Sequence, residues 1–531
     1  MTRRLYSCSV TAYDEVPYAC RPIPCTAPEQ LAMASLLHGG PCPAFEGARF
    51  LEIGCGDGAN LLPLAFFRPD CEFVGVDASA VQIADARRSV ERLTLHNITL
   101  HADDICELGP TLGRFDYIVA HGVISWVSDI VRDGILDFCR EHLADDGLLY
   151  LSYNTHPGWL IRGVVRSSMV GPRGSGESLR QMADEARRRA AALRKEVENV
   201  PHPYAQLLSR ELAYAEAAEE SSVVHDYLAD HNRAYWFREL ASLATGFGFR
   251  YLTEAPFTQP DYRVPPALRE AARTLTSDPI MMEELIDVLW YRQHRSSLFC
   301  RHTAPSASAS GDLPFDRISV AAAVRPRSEA VQLTPGVDET FDGLLEPDVA
   351  IALGDPLGKA TLATLAAIWP RGLGWRQLVA QSIERVRASG LDVPDDAVAD
   401  LQAQLLSLNA MGQVNLRLRD LPLSQASSER PAVAALTRWE AERRSLMTTP
   451  THQRVSLASI DRLIVEHLTG AHTPAEIVAA VVAKLQPPES SRESEVLRAV
   501  AELPESTTPE QWVASRLAYD LGFLGSWGLL R

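Results

Sequence analysis

Several chemistries lack any footing in this sequence. Its nine cysteines form no CxxC pair and join no histidines at metal-ligand spacing, so neither a zinc site nor a CxxC redox centre is expected. Reduced thiols in a cytoplasmic protein fit that pattern, and Cys20 and Cys25 are the one close pair that raises a redox alternative. No window approaches the roughly 18 apolar residues that a membrane span requires. Arg3-Arg4 has no apolar run behind it, so no secretory leader is expected. Positive charge is in deficit, with 51 Lys and Arg against 68 Asp and Glu and a net charge of −17. A general nucleic-acid binder needs a cationic surface to displace counterions from phosphates, so nucleic acid is not an expected partner. No internal repeat is present. What remains is a globular composition, 46% hydrophobic and 22% charged. At 531 residues the chain exceeds what one core supports, and two or three domains are expected.

The most informative positive feature is Phe50-Leu51-Glu52-Ile53-Gly54-Cys55-Gly56-Asp57-Gly58. An apolar strand ends in an acid and runs into three alternating glycines, after which a helical pattern begins at Ala59. A backbone this bare lets a ligand lie against it. About twenty residues on, Glu72-Phe73-Val74-Gly75-Val76-Asp77 forms a second apolar strand ending in an acid, the usual partner of a ribose diol. Dinucleotide sites use GxGxxG to seat a pyrophosphate on a helix N-terminus. Here the order is GxGxG with Glu52 ahead of Gly54, which suits S-adenosylmethionine, a cofactor without phosphate. Glu52, Gly54, Gly56 and Gly58 would then cradle it, Asp77 would accept from its ribose, and Asp103 or Asp104 would meet its adenine edge.

Strands and helices keep alternating beyond Asp77. Ile98 to His101, Phe115 to Ala120 and Leu148 to Ser152 read as strands, and Val81 to Leu93 as an amphipathic helix. This spacing implies a parallel, doubly wound α/β sheet whose ligands bind at the carboxyl ends of its strands. The expected divisions are an N-terminal lid or helical segment over 1–48, a cofactor-binding core over 49–159 and a helical cap over 160–235. Residues 236–303 complete the sheet, with Phe249 to Leu252 and Ser297 to Cys300 as late strands. The basic run Arg187-Arg188-Arg189 with Arg194-Lys195 reads as a solvated helix face. Ala304 to Gly311 opens a breaker-rich linker spanning 304–339. From 340 to 531, helix-length patterns with a short β-like run at Gln413 to Leu416 suggest a mainly helical, winged-helix-like domain, completed by a helical stretch from Ser456 to Lys484 and a C-terminal one from Pro509 to Leu524.

Longer motifs carry a family resemblance. Tyr13 to Tyr18, Phe115 to Val127 and Ser152 to Trp159 resemble the class I S-adenosylmethionine-dependent methyltransferases that carry a regulatory domain. That group includes protein lysine methyltransferases acting on rickettsial outer membrane protein. Val223-Val224-His225-Asp226-Tyr227-Leu228 onward is similar to the start of the regulatory region, and Ser428-Glu429-Arg430-Pro431 to the C-terminal domain. The resemblance implies a seven-stranded Rossmann-like sheet, methyl transfer from S-adenosylmethionine, and a protein lysine side chain as acceptor.

An amine acceptor must shed a proton before it can attack, because an ammonium has no lone pair and lysine titrates near 10.4. His121, at the end of the fourth strand, is a candidate acceptor for that proton or a cofactor contact. Tyr153 and Asn154, at the end of the fifth strand, are placed to orient the amine, and Tyr13 and Tyr18 to fold over the cofactor. Two alternatives stand beside the lysine reading. One is a small-molecule methyltransferase whose cap closes over its substrate, and the other is a cofactor-binding regulator without catalysis. The sequence fixes no oligomeric state.

Overall fold

The structure, a computed structural model, describes residues 12–531 apart from 110–111, 171–176, 257–263, 306–314, 346–347, 420–422, 424–427, 486–490, 502 and 504–506. It divides into two compact units. The first holds 12–21, 34–256 and 264–305, and the second holds 22–33 and 315–531.

The first unit is built on one sheet. Its strands are β1 (Arg49–Ile53), β2 (Glu72–Asp77), β3 (Ile98–Ala102), β4 (Phe115–Ala120), β5 (Leu143–Thr155), β6 (Ala234–Tyr235), β7 (Phe249–Glu254) and β8 (His294–Arg301). Their order is β3-β2-β1-β4-β5-β8-β7, with two-residue β6 paired to the end of β5. Strands β1 to β5 run parallel, whereas β8 is antiparallel to both β5 and β7. This is the seven-stranded α/β sheet expected, and β7 and β8 are the two late strands that complete it. Buried on both faces, the central strands read as near-continuous apolar runs. Leu51, Ile53, Val74, Val76, Ile118 and Leu149 share one core cluster.

Local signals fix the crossovers. Ser79 caps the helix Ala80–Leu93 by accepting from Gln82 N, and Ser128 does the same for Asp129–His142 by accepting from Val131 N. Between β5 and β6 lies a helical insertion comprising Gly158–Met169, Leu179–Val197, Pro203–Ala217 and a π-helical turn at Val223–Tyr227. The basic run on Leu179–Val197 is answered by acids one turn away, through Arg187–Asp184, Arg188–Glu185 and Arg194–Glu198 pairs.

The second unit contains two small sheets. One is β10 (Val324–Pro326), β11 (Glu339–Gly343) and β12 (Ala350–Leu353); the other orders β13 (Leu373–Gly374), β9 (Ser319–Ala321) and β14 (Asn415–Arg417). The linker expected over 304–339 therefore ends early. Ser319, Val320 and Ala321 are buried and carry strand pairing that breaker composition nearby obscured. Its residues 306–314 lie outside the described ones.

A winged-helix arrangement follows, with helices Ala435–Arg443, Ser459–His467, Pro474–Lys484 and Pro509–Ser526 around the hairpin β15 (Leu446–Thr448) and β16 (Arg454–Ser456). The helical stretch from Ser456 to Lys484 comprises two helices. Gly470 adopts a left-handed φ of 81°, and Thr473 with Glu476 forms a capping box that starts the second helix at Pro474. No helix among the described residues is long and apolar enough to cross a membrane.

A buried ionic cluster fixes the antiparallel edge of the large sheet. Fully buried Arg295 on β8 donates to Glu254 Oε1 at 2.6 Å, to Asp287 Oδ2 at 2.8 Å and to Glu283 Oε2 at 3.1 Å. Arg292 meets Asp287 at 2.9 Å and Arg269 meets Glu283 at 3.6 Å, so three carboxylates face three guanidiniums. Burial pushes the Glu254 carboxyl up, but Arg295 and Arg292 more than reverse this and hold it below its ordinary value. Glu254 also accepts from Ser296 N and Ser297 Oγ, which locks β7 to β8. Removing one partner from such a cluster strands a buried charge. Arg295→Ala is expected to destabilise the first unit by about 3–5 kcal/mol, read as a lowered first transition in scanning calorimetry.

Candidate functional site

Parallel pairing brings the carboxyl ends of β1 to β5 to one edge of the sheet. After Ile53 the chain turns through Gly54, Gly56 and Gly58 at φ of 74°, 54° and 76°, a region closed to most side chains. The turn is pinned to β2: Gly54 N and Cys55 N both donate to Val76 O, and Gly56 N donates to Asp77 Oδ2 at 2.8 Å. A Cβ on Gly56 would lie 2.4 Å from Cys20 Sγ and 2.7 Å from Gln82 Oε1. The other Asp77 oxygen accepts from Ser79 N at 2.8 Å, and burial raises its carboxyl above the ordinary value despite both bonds.

The polar groups around this turn have capacity left. Glu52 Oε1 accepts from Asn60 Nδ2 at 3.0 Å, while Glu52 Oε2 is buried without a partner. Burial raises this carboxyl to about 8, with Asp77 and Asp57 adding to the effect and Asn60 opposing it. Gln82 Nε2 and Asn154 Nδ2 are likewise buried and unbonded. A glycine cradle, a buried acceptor and two buried amide donors fit a polar, cationic ligand of the S-adenosylmethionine kind.

The next strand end separates the two candidate acids. Asp103 N donates to Asp77 O at 3.1 Å, and the Asp103 carboxylate lies 3.9 Å from His101 Nδ1. Asp104 Oδ1 accepts from Cys106 N at 2.9 Å and caps the short turn that follows.

At the end of β4, His121 Nδ1 meets the Tyr150 hydroxyl at 2.9 Å, and that hydroxyl donates to Ser296 Oγ at 3.0 Å. Two serines tie the loop after β4 to β5: Gly122 N donates to Ser152 Oγ and Asn154 N to Ser125 Oγ. Antiparallel pairing sets His294 opposite Asn154, and the His294 ring centroid is 5.8 Å from that of His121. Burial lowers His294 to about 4, which keeps it neutral at physiological pH.

Tyr153 is elsewhere. Side chains alternate along β5, so Tyr150, Ser152 and Asn154 share the His121 face while Leu149, Leu151 and Tyr153 point into the core cluster. Its hydroxyl bonds Ser297 Oγ at 2.8 Å, beside the Glu254–Arg295 cluster. The expectation that Tyr153 orients an acceptor is therefore corrected: it is a core residue of the opposite face.

The N-terminal segment reaches the site through Asp14. Asp14 Oδ1 accepts from Ser79 Oγ at 2.8 Å, which docks the short helix Ala12–Glu15 beside Asp77. Tyr13 stacks on His225 with centroids 4.1 Å apart, and Tyr18 meets the same ring edge-on at 5.8 Å. Burial raises Tyr13 to about 12, with Asp77 and Asp226 contributing. His294, Asp226 and Tyr227 escape sequence reasoning. Strand register brings in the first and a π-turn the other two, and neither leaves a periodic signal.

Comparison with known proteins agrees with this geometry. Residues 51–149 match the family described as "Methyltransferase domain", 219–301 "Predicted methyltransferase regulatory domain" and 429–503 "PKMT, C-terminal winged helix domain". The uncharacterized protein RP789 of Rickettsia prowazekii (strain Madrid E) is 26% identical over 482 residues, covering 89% of this chain and 86% of that protein. RP028 of the same organism is 34% identical over 241 residues, covering 45% of this chain and 96% of that protein. The solved structure of PKMT2 from Rickettsia typhi in complex with AdoHcy superposes with a TM-score of 0.82 at 24% identity, covering 97% of this chain and 100% of that one. The chain belongs to the S-adenosylmethionine-dependent methyltransferases that join a Rossmann-like catalytic sheet to a methyltransferase regulatory domain and a PKMT-type winged helix.

Proposed function

We propose that the chain methylates an amine, and that the amine is a protein lysine side chain. The observation that carries this reading is the winged-helix match at 429–503, a module described for PKMT, in the same chain as the methyltransferase and regulatory matches. The similarity to PKMT2 of Rickettsia typhi supports it. In this reading the Gly54–Gly58 backbone and Glu52 hold the amino-acid part of the cofactor, Asp77 accepts from its ribose hydroxyls, and Asp103 or Asp104 meets its adenine. Tyr13 and Tyr18 cover it from the N-terminal side. Asn154 orients the acceptor through its unbonded Nδ2, and His121 contacts the cofactor at the strand end.

Bound S-adenosylmethionine supplies a methyl group on a sulfonium, already a good leaving group. The residues of the chain therefore contribute mainly alignment and exclusion of water. Labelled cofactor incubated with protein and lysate tests the acceptor: counts are expected in the protein fraction, and counts confined to small molecules would overturn the lysine reading.

Two variants test the cofactor side. Asp77→Asn keeps one acceptor oxygen but removes the charge. It is expected to weaken S-adenosylhomocysteine binding about 10- to 100-fold in calorimetry, from the loss of a charged hydrogen bond of about 1.5–3 kcal/mol. Glu52 gives a pH signature. Its folded-state value lies near 8, above its ordinary value of 4.5, so the ligand-free protein loses stability as pH climbs from the ordinary value toward 8. Glu52→Gln mimics the protonated acid, and it should raise the unfolding temperature at pH 8 with a gain that shrinks toward pH 5. An equal gain at both pH values would contradict the assignment.

A further inference from the structure

The helical insertion holds an acid that the cofactor and strand-end residues leave without a role. Asp226 sits in the π-helical turn Val223–Tyr227, closed by Leu228 N donating to Val223 O at 3.1 Å. A π-turn inserts a residue into helical winding and recurs where a side chain must be re-aimed for function. This one is braced from both sides. His225 Nε2 bonds Val16 O at 2.6 Å beneath the stacked Tyr13 ring, and Asn232 Nδ2 donates to Asp226 O at 2.8 Å while accepting from Trp159 Nε1 through Oδ1.

The Asp226 carboxylate itself forms no hydrogen bond or ion pair among the described residues, although it is half-buried. Arg162, the nearer cation in effect, is engaged elsewhere. It lies between the Trp159 and Tyr214 rings at 4.9 and 4.5 Å and contacts Glu211 and Gln293. Burial raises the Asp226 carboxyl to about 6, with Arg162 and Arg21 opposing the rise. Beside it, fully buried Tyr227 presents a hydroxyl with no partner. Asp226 also acts on Tyr13, Tyr18 and Tyr227 together, and Tyr13 feels Asp77 at the same time. The Tyr13 ring stacked on His225, on the short helix that Asp14 ties to Ser79, sets this turn on the cofactor side of the insertion with the Tyr13 and Tyr18 rings against the residue before Asp226.

We propose that Asp226, with Tyr13, Tyr18 and Tyr227 around it, is the methyl-acceptor site, and that it takes a primary ammonium group. This assignment rests on the amine-methyltransferase reading above. An ammonium suits such a pocket twice over, through the carboxylate and through aromatic faces that attract cations. Enclosure raises the proton affinity of the acid and lowers that of the amine, so the proton passes from nitrogen to an Asp226 oxygen. The neutral nitrogen then uses its lone pair to form the N–C bond while the C–S bond breaks and its electron pair goes to sulfur. The product leaves as a secondary ammonium, and Asp226 returns its proton to solvent. Tyr227 OH bonds the incoming nitrogen and holds its direction.

The test uses the full chain with a lysine-rich peptide pool, the same pool with its lysines acetylated, and calorimetry with S-adenosylhomocysteine. Wild type is expected to label the unacetylated pool alone. Asp226→Asn is expected to cut turnover at least about a hundredfold, the scale of a lost proton acceptor, with cofactor affinity retained. Asp226→Glu should recover part of that rate, and Tyr227→Phe should raise KM more than it lowers kcat. Wild-type turnover in Asp226→Asn, or loss of cofactor binding alongside activity, would overturn the proposal. If wild type labels only small molecules from lysate, the lysine reading fails by itself. The Asp226→Asn comparison on those counts then decides the acceptor site independently.

Discussion

Everything at the catalytic end depends on how the turn after β1 is held by β2. Three glycines in left-handed backbone cost conformational entropy that other residues would not lose. That cost is met locally: Val76 O receives two amide protons from the turn, and Asp77 receives a third from Gly56. The same Asp77 carboxylate accepts from Ser79 N, and Ser79 both caps the next helix and bonds Asp14. One acid thus orients the cradle, starts a crossover helix and, through Ser79, docks the N-terminal segment that carries Tyr13. The glycine turn and the N-terminal segment share one set of supports.

The opposite edge of the sheet works by a different principle. Strand β8 runs against its neighbours, and its register brings His294 alongside Asn154 and within ring contact of His121. What keeps β8 there is the ionic cluster on Arg295, whose guanidinium also lies 3.8 Å from the Phe237 ring centroid. A cluster this dry contributes little net stability compared with an apolar replacement. Its geometric demand is strict, and the strand that presents His294 is placed by it.

Sequence reasoning reached as far as periodicity and local chemistry reach. The alternation of strands and helices, the glycine turn and Asp77 are short-range signals, and the observed strand order agrees with them. Tyr153 shows where such reasoning fails. Being at a strand end is a property of the backbone, whereas facing the site is a matter of parity, and one residue separates Asn154 on the site face from Tyr153 in the core. Asp226 failed for another reason. A π-turn breaks the 3.6-residue period, so its side chain cannot be assigned a direction by counting. Within the helical stretch read over Ser456–Lys484, Gly470 and the cap at Thr473 mark the break between two helices, local signals that an apolar pattern alone does not resolve.

The two groups of buried acids in the first unit differ in one respect that bears on function. Glu254, Asp287 and Glu283 are each within ion-pair distance of arginine. Glu52, Asp77 and Asp226 are not, among the described residues, and burial raises all three above their ordinary values. Desolvated acids without cations destabilise a fold unless a ligand offsets the penalty. A cationic cofactor and a cationic acceptor would each bring the missing charge, and each would be drawn to the cleft by it. The acids that hold the sheet together meet their arginines within the fold; Glu52, Asp77 and Asp226 have no cation among the described residues, so in the proposed reading their electrostatic term is completed by binding.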